Sequence, residues 1–422
     1  MQKQYIFLVH SINRIGGSEL YLSRKIEYLI SQGWECNVFF YIYIDGEIII
    51  PNLKQFIKNY IPQLRQTIGN VTEKKVNKVI KKIINKKNNY GDVMIESFNM
   101  TLATWGEHIA KICHAKHLVY IIDEYISYPT KIMKEFIIFK LNQKLLYCIR
   151  NSVLNNTGIN LKVYGDVSLK AIGCSTGNVI DYNYPLDTVI RENSINILSL
   201  GRLDKPYIKH LFESIVIFAN NNKDKEFNLI IVGDTPNTKL RLSLLAIIKN
   251  IPNLTFSHLG NVWPLPKKLF DGIDVMAGSA GCVIISYREG IPSIAIDSKD
   301  FEAIGIYGIT TNNTFSRDKN DVQTSIIDLL HDVIIKKKYY KSNPLPEPIN
   351  DFSHHQKIID QNIEQKYYDT ISSKHYLSHI IIRKIAVAVD TNKFGHLFVT
   401  KLWSSNLFKK IVKKLNRTDL NY

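Results

Sequence analysis

The chain has 422 residues, of which 45% are hydrophobic, and its formal net charge is +16. At roughly 150 residues per domain, this length favours two α/β domains over one. No run of about 18 uncharged apolar residues occurs, so we expect no membrane-spanning helix, and the start of the chain is too strand-like for a signal peptide. The five cysteines lie far apart, which indicates reduced thiols in a cytoplasmic protein rather than disulfides or a metal site.

The excess positive charge is concentrated in two segments. Residues 72–87 hold seven lysines and one glutamate, a net charge of +6, and residues 373–422 hold ten Lys/Arg and two Asp, a net charge of +8. A localised basic surface predicts an acidic partner, either anionic lipid or nucleic acid. We do not expect nucleic acid, because the sequence contains no recognition module and the helix at 72–87 has no interleaved aromatic residues.

The N-terminal stretch predicts a βαβ unit. Tyr5–Val9 is a predicted strand, apolar residues at helical spacing follow, and Cys36–Ile44 is a second predicted strand. The first turn carries Gly16 and Gly17, with Ser18 as the predicted N-cap of the helix. Paired glycines allow the backbone to approach a ligand closely, although an ordinary tight turn remains the alternative.

Residues 52–90 are predicted to be helical. Within them, 72–87 places apolar residues at helical spacing (Val76, Val79, Ile80, Ile83 and Ile84), with lysines on the other side. This pattern predicts a basic amphipathic helix that lies on an anionic membrane surface. An ordinary surface helix is the alternative.

The next units lead to two adjacent carboxylates. Val93–Ser97 and His117–Ile122 are predicted strands, and Asp123 and Glu124 follow the second of them. Carboxylates at a strand's C-terminal end are candidate polar groups for a cleft, where one could act as a general base, but they could equally cap the next helix. Ile132–Cys148 is predicted to be helical.

The second half of the chain opens with a strand, a glycine turn and a helix. Ile195–Leu200 is the predicted strand, and Gly201 and Arg202 form the turn, with Lys205 and Lys209 close behind. Cations beside a helix N-terminus suit a phosphate or diphosphate. A turn with solvated charges is the alternative.

The same alternation of strands and helices continues to about residue 300. The predicted strands are Phe227–Val232, Leu254–Leu259, Asp274–Ala277 and, as the last core strand, Pro292–Asp297. Leu265–Phe270 is a predicted short helix, and the small residues Gly278–Gly281 precede the predicted helix Cys282–Arg288. Small residues before a helix leave backbone N–H groups able to bind an anion.

The order of these motifs resembles family 4 glycosyltransferases of the GT-B fold. The similar stretches, which together span about residues 1–372, are INRIGGSELYLSRKIEYLISQGWECNVFF, GRLDKPYIKH, LIIVGD, FSHLGNV, DVMAGSAG…EGIPSIAID and FSHHQKIIDQNIEQKYYDTI. The resemblance implies an α/β protein with two doubly wound Rossmann-like domains that face each other across a cleft. It implies an acceptor domain at 1–185, a donor domain at 186–350, a helix at 351–372 that returns to the first domain, and a basic amphipathic tail at 373–422.

Enzymes of this family transfer a sugar from a nucleotide-sugar donor, here UDP- or GDP-linked, without a metal or another cofactor. The resemblance implies a glycan or lipid-linked acceptor in cell-surface polysaccharide or glycolipid synthesis, with the protein peripheral at the inner membrane face. Asp123 and Glu124 are the catalytic candidates, because a carboxylate at this position could serve as the base. The implied donor-binding residues are Gly16, Gly17, Arg202, Lys209, Gly233, Asn261, Val262, Ser279, Ala280, Gly281 and Cys282. Ser286 and Glu289 are further donor-site candidates, which lie near the family's glutamate positions but do not match their register.

Three departures separate this sequence from the family pattern. The family's two glutamates, eight positions apart, fall on Ala277 and Ile285, and Asp123 stands where the family often has a histidine. Lys209 also lies further from Arg202 than the common spacing. The alternative reading is therefore a catalytically inactive binding subunit that assists another glycosyltransferase.

Overall fold

The structure is a computed structural model, and it describes most of the first 370 residues. The described ranges are 2–43, 48–84, 90–123, 126, 131–149, 152–155, 157–165, 167, 177–186, 188–318, 321–346, 352–360 and 366–370. Glu124 and the predicted tail 373–422 lie outside them. The predicted domain boundaries stay predictions.

The first half of the chain forms a five-stranded, wholly parallel sheet with helices on both faces. Its elements are β1 (Gln2–Val9), α1 (Gly17–Ser31), β2 (Trp34–Phe40), α2 (Glu73–Ile83), β3 (Tyr90–Ser97), α3 (Met100–Cys113), β4 (Lys116–Ile121), α4 (Lys131–Asn142), β5 (Leu146–Cys148) and α5 (Ser152–Asn155). The strand order is β2-β1-β3-β4-β5. Three 3₁₀ turns, at Pro51–Asn59, Pro62–Arg65 and Ile68–Asn70, connect β2 to α2.

The second half forms a six-stranded sheet. Its elements are β6 (Val179–Ile180), β7 (Ile195–Leu200), α6 (Ile208–Asn221), β8 (Phe227–Val232), α7 (Thr238–Ile248), β9 (Leu254–His258), β10 (Leu265–Pro266), α8 (Lys268–Asp271), β11 (Val275–Gly278), α9 (Gly281–Arg288), β12 (Ser293–Ile296), β13 (Ala303–Ile306), α10 (Ile326–Leu330) and α11 (Ser353–Asp360). The order is β13-β12-β11-β7-β8-β9, and only the pairing of β13 with β12 is antiparallel. β6 pairs separately with β10.

Several predicted elements need correction. The helix α1 begins at Gly17 with Gly16 as N-cap, and the Ser18 hydroxyl donates instead to Glu19 Oε2 at 2.8 Å. The predicted helix at 132–148 ends at Asn142, because Leu146–Cys148 is strand β5. The strand at 293–296 is not the last of its sheet, since β13 follows it. The predicted short helix at 265–270 contains strand β10 before α8.

The apolar stripe of α2 is buried in the first domain, which contradicts the prediction that it faces a membrane. Val76, Val79, Ile80 and Ile83 pack in one apolar cluster with residues of the sheet and of α3. Four such side chains contribute roughly 1.5–3 kcal/mol each by leaving water, so the core is the better place for this stripe. The lysines on the other side of α2 are exposed.

A buried charge pair fixes α1 to the sheet. Lys25 Nζ lies 2.5 Å from Glu96 Oε2, and neither side chain is exposed. Two tyrosine hydroxyls also donate to Glu96, that of Tyr5 at 2.5 Å and that of Tyr21 at 2.9 Å. Burial lowers the pKa of Lys25, against the opposing effect of Glu96. Removing one member of such a buried pair typically costs about 3–5 kcal/mol, so α1 is firmly held.

The end of the described chain returns to the first domain. Phe352 packs against Tyr28 of α1, with ring centroids 5.3 Å apart. The backbone N–H of Tyr368 donates to Glu107 Oε1 at 2.9 Å. The predicted returning helix at 351–372 is wrong in extent, because α11 ends at Asp360 and residues 366–370 are not helical.

Glu107 belongs to a second buried cluster. Its Oε2 accepts from His117 Nδ1 at 2.7 Å and from Lys140 Nζ at 2.9 Å. Burial would raise the pKa of Glu107, but Lys140 and His117 outweigh it and hold that pKa at about 2. Burial lowers the pKa of His117 to about 4, so its imidazole is neutral at pH 7. The ionised Glu107 carboxylate therefore accepts the hydrogen bond from Tyr368 that holds the segment 366–370 against the first domain.

Among the described residues, no helix is long and apolar enough to cross a membrane. The same residues contain no group of three or more His, Cys, Asp or Glu side chains arranged to hold a metal ion.

Candidate functional site

Three glycines meet at the carboxyl edge of the second sheet, where β7, β8 and β9 end. Gly201 N donates to Val232 O at 2.8 Å, and Gly233 N donates to Gly260 O at 2.6 Å. A Cβ on Gly233 would lie 2.0 Å from Gly201 O, so no larger residue fits without movement. We call Gly201, Gly233 and Gly260 the glycine edge. Gly201 and Gly260 are half-buried and Gly233 is buried, and none of the three places a side chain between this edge and a ligand.

The cations beside the glycine edge differ in how they are placed. Arg202 Nε lies 3.2 Å from Asp204 Oδ1, and the arginine side chain is 32% exposed. Lys209 is 70% exposed on α6 and lies 3.5 Å from Glu213 Oε1, one helical turn away. Lys205 is half-buried and close enough to Cys282 to lower the pKa of its thiol. Lys205, which the predicted donor-binding set did not include, is therefore a further candidate cation for this edge.

The start of α9 is shaped by an unusual backbone. Ala280, its N-cap, has φ 65° and ψ −134°, a conformation that residues with a Cβ rarely adopt and that costs on the order of 1–3 kcal/mol. Its N–H donates to Thr314 O at 2.6 Å, and the Ser279 hydroxyl donates to the same carbonyl at 3.2 Å. An anion at this helix would therefore have to use the amides of Gly281 and Cys282, or displace Thr314 O.

The Cys282 side chain is neutral. Burial raises the pKa of its thiol to about 11, despite the opposing effects of nearby backbone N–H groups and Lys205. The sulfur donates to Ser279 O at 2.9 Å. Cys282 therefore stabilises the small-residue loop, and we assign it no nucleophilic role.

The remaining predicted donor residues lie around this edge or behind it. Asn261 is exposed and Val262 is half-buried, both directly after Gly260. Glu289 is half-buried at the C-cap of α9. Ser286 is fully buried, and its hydroxyl has no hydrogen-bond partner among the described residues.

The loop before α1 lies at the carboxyl edge of the first sheet. Gly16 is half-buried and Gly17 exposed. Buried Glu19 braces this loop from behind, since Ser11 Oγ donates to its Oε1 at 2.5 Å. A Cβ on Gly16 would lie 2.9 Å from Glu19 Oε2, so a larger residue here would require the Glu19 carboxylate to shift.

Asp123 lies at the same edge as the Gly16–Gly17 loop. It follows β4 and is exposed, and β3 is the one strand between β4 and β1. At a strand spacing of about 4.8 Å, the ends of β1 and β4 are roughly 10 Å apart. Asp123 therefore lies at the same sheet edge as this loop, and its assignment to the site stays a prediction, whereas Glu124 lies outside the described residues.

Comparison with known proteins gave structural matches only. No protein-family profile matches the sequence, and no curated protein matches it. A glycosyltransferase from Rickettsia africae is 14% identical with a TM-score of 0.53, covering 92% of this chain and 97% of that one. HepE from Anabaena, solved with UDP and glucose, is 15% identical with a TM-score of 0.51, covering 90% of this chain and 100% of its own.

The chain has the GT-B fold. Its two Rossmann-like domains agree with the predicted fold class. In such folds, ligands bind outside the carboxyl ends of the strands, where the glycine edge and the Gly16–Gly17 loop lie. The individual site assignments stay predictions.

Two residues of this region escaped the sequence reasoning. His258, at the end of β9, has its Nε2 2.9 Å from Gly233 O and so ties two strand ends together. Thr314 lies 35 residues after Ser279, and its backbone carbonyl accepts a hydrogen bond from the Ser279 hydroxyl. No local sequence pattern predicts that the Thr314 carbonyl contacts Ser279, because the two residues are so far apart in the chain. His258, by contrast, could have been predicted as a site residue from its position at the end of a strand.

Proposed function

We propose that this protein is a glycosyltransferase, similar to family 4, that transfers a sugar from a UDP- or GDP-linked donor without a metal ion or another cofactor. The leaving nucleoside diphosphate gains negative charge as the sugar departs, and cations can stabilise that charge in place of a metal. Arg202 would supply one cation, with Lys205 or Lys209 as the second. Asp123 would act on the acceptor hydroxyl as a general base.

The glycine edge is the observation that carries this proposal. Gly201 and Gly233 directly follow β7 and β8, and Gly260 lies two residues after β9, so this edge carries backbone rather than side chains at three adjacent parallel strands. Arg202 directly follows the first of them, and the start of α9 follows β11 at the same edge. A bare backbone edge beside a cation and a helix N-terminus suits a diphosphate. HepE, which shares the fold, was solved with UDP and glucose.

The test is a nucleotide-sugar screen by thermal shift, followed by calorimetry. A ligand that binds only the folded state stabilises it by mass action, by about 2.7 kcal/mol at a ligand concentration of a hundred times its Kd. The melting temperature of the protein rises as a result. We expect one nucleoside diphosphate, with its sugars, to stabilise the protein. If UDP, GDP and their common sugars all leave the melting temperature unchanged, the proposal is wrong.

A catalytically inactive GT-B binding subunit is the second candidate, and one observation favours it. Ala277 and Ile285 stand where the family has glutamates, and both are buried, at 1% and 8% exposure. Neither side chain can accept a hydrogen bond from a sugar hydroxyl. Slow release of free nucleoside diphosphate from the donor supports the enzyme, and binding without any release supports the subunit.

The acceptor and location belong to the same proposal. We infer a glycan or lipid-linked acceptor in polysaccharide or glycolipid synthesis, with the protein peripheral at the cytoplasmic face of an anionic membrane. The exposed lysines of α2, namely Lys74, Lys75, Lys78, Lys81 and Lys82, support electrostatic attachment. The buried apolar stripe of α2 excludes its insertion, so attachment at this helix would rest on charge alone.

A further inference from the structure

Arg24 on α1 contacts two segments that flank the paired strands β6 and β10. Its guanidinium donates to the carbonyl of Gly177, just before β6. The same guanidinium lies over the ring of Trp263, 5.9 Å from the centroid, in the connection that follows β9. Arg24 also pairs with Glu27, one turn along α1, at 3.2 Å. One side chain therefore holds the first domain against both segments.

Trp263 is fixed from the other side as well. Its Nε1 donates to Asn178 Oδ1 at 3.3 Å, and its ring packs against the apolar cluster of the first domain. Asn178 is itself buried, and its carbonyl accepts from Leu265 N at 2.7 Å. The segment 260–263 consequently has little freedom to move unless these contacts move with it.

Helix α1 joins this contact to the Gly16–Gly17 loop. Arg24 lies seven residues after Gly17, which is two helical turns, about 10 Å along the axis, and nearly the same face of the helix. Lys25, its neighbour, is locked to Glu96 in the core, so α1 moves as a rigid body with its sheet. A change in the position of Trp263 relative to Arg24 therefore displaces the Gly16–Gly17 loop relative to the second domain.

We propose that Arg24 is a positioning residue that couples nucleotide binding at Asn261 and Val262 to the placement of the Gly16–Gly17 loop. The inference rests on the proposed function, because it takes a nucleoside diphosphate as the ligand. Asn261 and Val262 directly precede Trp263, so a base bound against them acts on the segment that Arg24 holds. Nucleotide binding and the position of the Gly16–Gly17 loop are then coupled through the Arg24 guanidinium.

The contact needs the chemistry of arginine. A planar guanidinium can stack on an indole and donate to a carbonyl at the same time, whereas a lysine ammonium is a single point charge. The partner position is equally restricted. Gly177 has φ +64°, and a Cβ there would lie 2.7 Å from a terminal nitrogen of Arg24. Gly177→Ala therefore disturbs the same contact from the opposite side.

The experiment follows the emission of Trp263 during nucleotide titration. The chain has four tryptophans, so the difference between the wild type and Trp263→Phe isolates the signal of this residue. UDP and GDP are titrated into the wild type, Arg24→Ala, Arg24→Lys and Gly177→Ala, with binding measured separately by calorimetry. Arg65→Ala, at an exposed arginine of the same domain, is the matched control.

We expect the nucleotide to change Trp263 emission in the wild type and in Arg65→Ala. In Arg24→Ala the emission change should be lost while the Kd measured by calorimetry shifts by less than about threefold, and Arg24→Lys should restore part of the response. The kcat for donor hydrolysis should fall about tenfold with little change in KM, as expected when an interaction made only in the transition state is lost. A purely structural role for Arg24 would not separate emission from affinity in this way.

The outcomes separate the two proposals. If neither nucleotide binds the wild type, the proposed function and the coupling both fail. If a nucleotide binds and Arg24→Ala retains the wild-type emission change and kcat, the coupling is overturned and the proposed function stands. If Arg24→Ala does not fold, Gly177→Ala decides the same question, since it keeps the arginine and displaces it.

Discussion

Replacing Gly233 with alanine tests whether the glycine edge is as tightly packed as the structure shows. The built Cβ lies 2.0 Å from Gly201 O, and real Cβ atoms essentially never come within 3.0 Å of another heavy atom, so at least 1 Å of backbone movement is required. Gly233 also has φ +131°, which costs a residue with a Cβ about 1–2 kcal/mol. Overpacking of this kind adds roughly 1–3 kcal/mol. We expect Gly233→Ala to destabilise the second domain by about 2–5 kcal/mol.

Gly260→Ala is the matched control for that substitution. Gly260 lies on the same edge with φ +65°, but nothing lies within 4 Å of a Cβ there, so only the backbone strain of about 1–2 kcal/mol applies. The measurement is urea unfolding followed by circular dichroism, with the two variants compared at equal m-value. Because the new methyl group also pushes on Arg202 N, 3.3 Å away, Gly233→Ala should weaken UDP or GDP binding. Equal destabilisation by the two variants would refute the packing argument.

Four further predictions follow from the same geometry. Arg202→Ala should weaken nucleoside diphosphate binding by about 1.5–3 kcal/mol in calorimetry, as expected for a lost charged hydrogen bond, and an unchanged Kd removes Arg202 from the site. Asp123→Asn should lower kcat for transfer more than it raises the donor Kd, as expected for a group that acts in the transition state; equal effects would argue against a base. Because burial holds the pKa of His117 at about 4 against an ordinary 6.5, the unfolded chain takes up this proton first, and stability should decline as pH falls from 6.5 to 4. That decline, up to about 3 kcal/mol, should flatten in His117→Asn when unfolding is measured across this range. Flotation with anionic vesicles should weaken by about 2 kcal/mol in the double variant Lys74→Gln, Lys78→Gln and should vanish at high salt, whereas equal binding to neutral vesicles would contradict attachment by charge.

The central strands of the second sheet were readable from the sequence. Ile195–Leu200 and Phe227–Val232 were predicted with the bounds that the structure shows. Each is a short, nearly continuous apolar run, which is typical of a parallel strand buried on both faces. The strand at Ala303–Ile306 escaped prediction because it is short, contains a glycine and pairs antiparallel at the edge, so neither its length nor its periodicity stands out.

The polar interior of the first domain could not have been read from a single sequence. Lys25 and Glu96 lie 71 residues apart, and Glu107 and Lys140 lie 33 apart. Each charged residue alone is typical of an exposed helix face or a strand end, and only the fold brings the partners together. The same holds for the contact of Arg24 with Trp263. The buried stripe of α2 shows the converse limit, because amphipathicity predicts that an apolar face is covered but not what covers it.

The ion pairs at the candidate site do not argue against an anionic ligand, and their magnitudes show why. The pair of Arg202 with Asp204 is about one third exposed on both sides, and the pair of Lys209 with Glu213 is more exposed still. Exposed pairs of this kind contribute about 0–1 kcal/mol each, whereas a hydrogen bond from a cation to a phosphate oxygen contributes about 1.5–3 kcal/mol. A diphosphate would therefore displace Asp204 from Arg202 at a net gain. The same comparison applies to an enzyme and to an inactive subunit, so binding alone cannot separate them. Ala277 and Ile285 are buried and apolar, so the donor sugar lacks the two hydrogen-bond acceptors that the family's glutamates supply. Measuring the release of nucleoside diphosphate from the donor shows whether the protein is active without them.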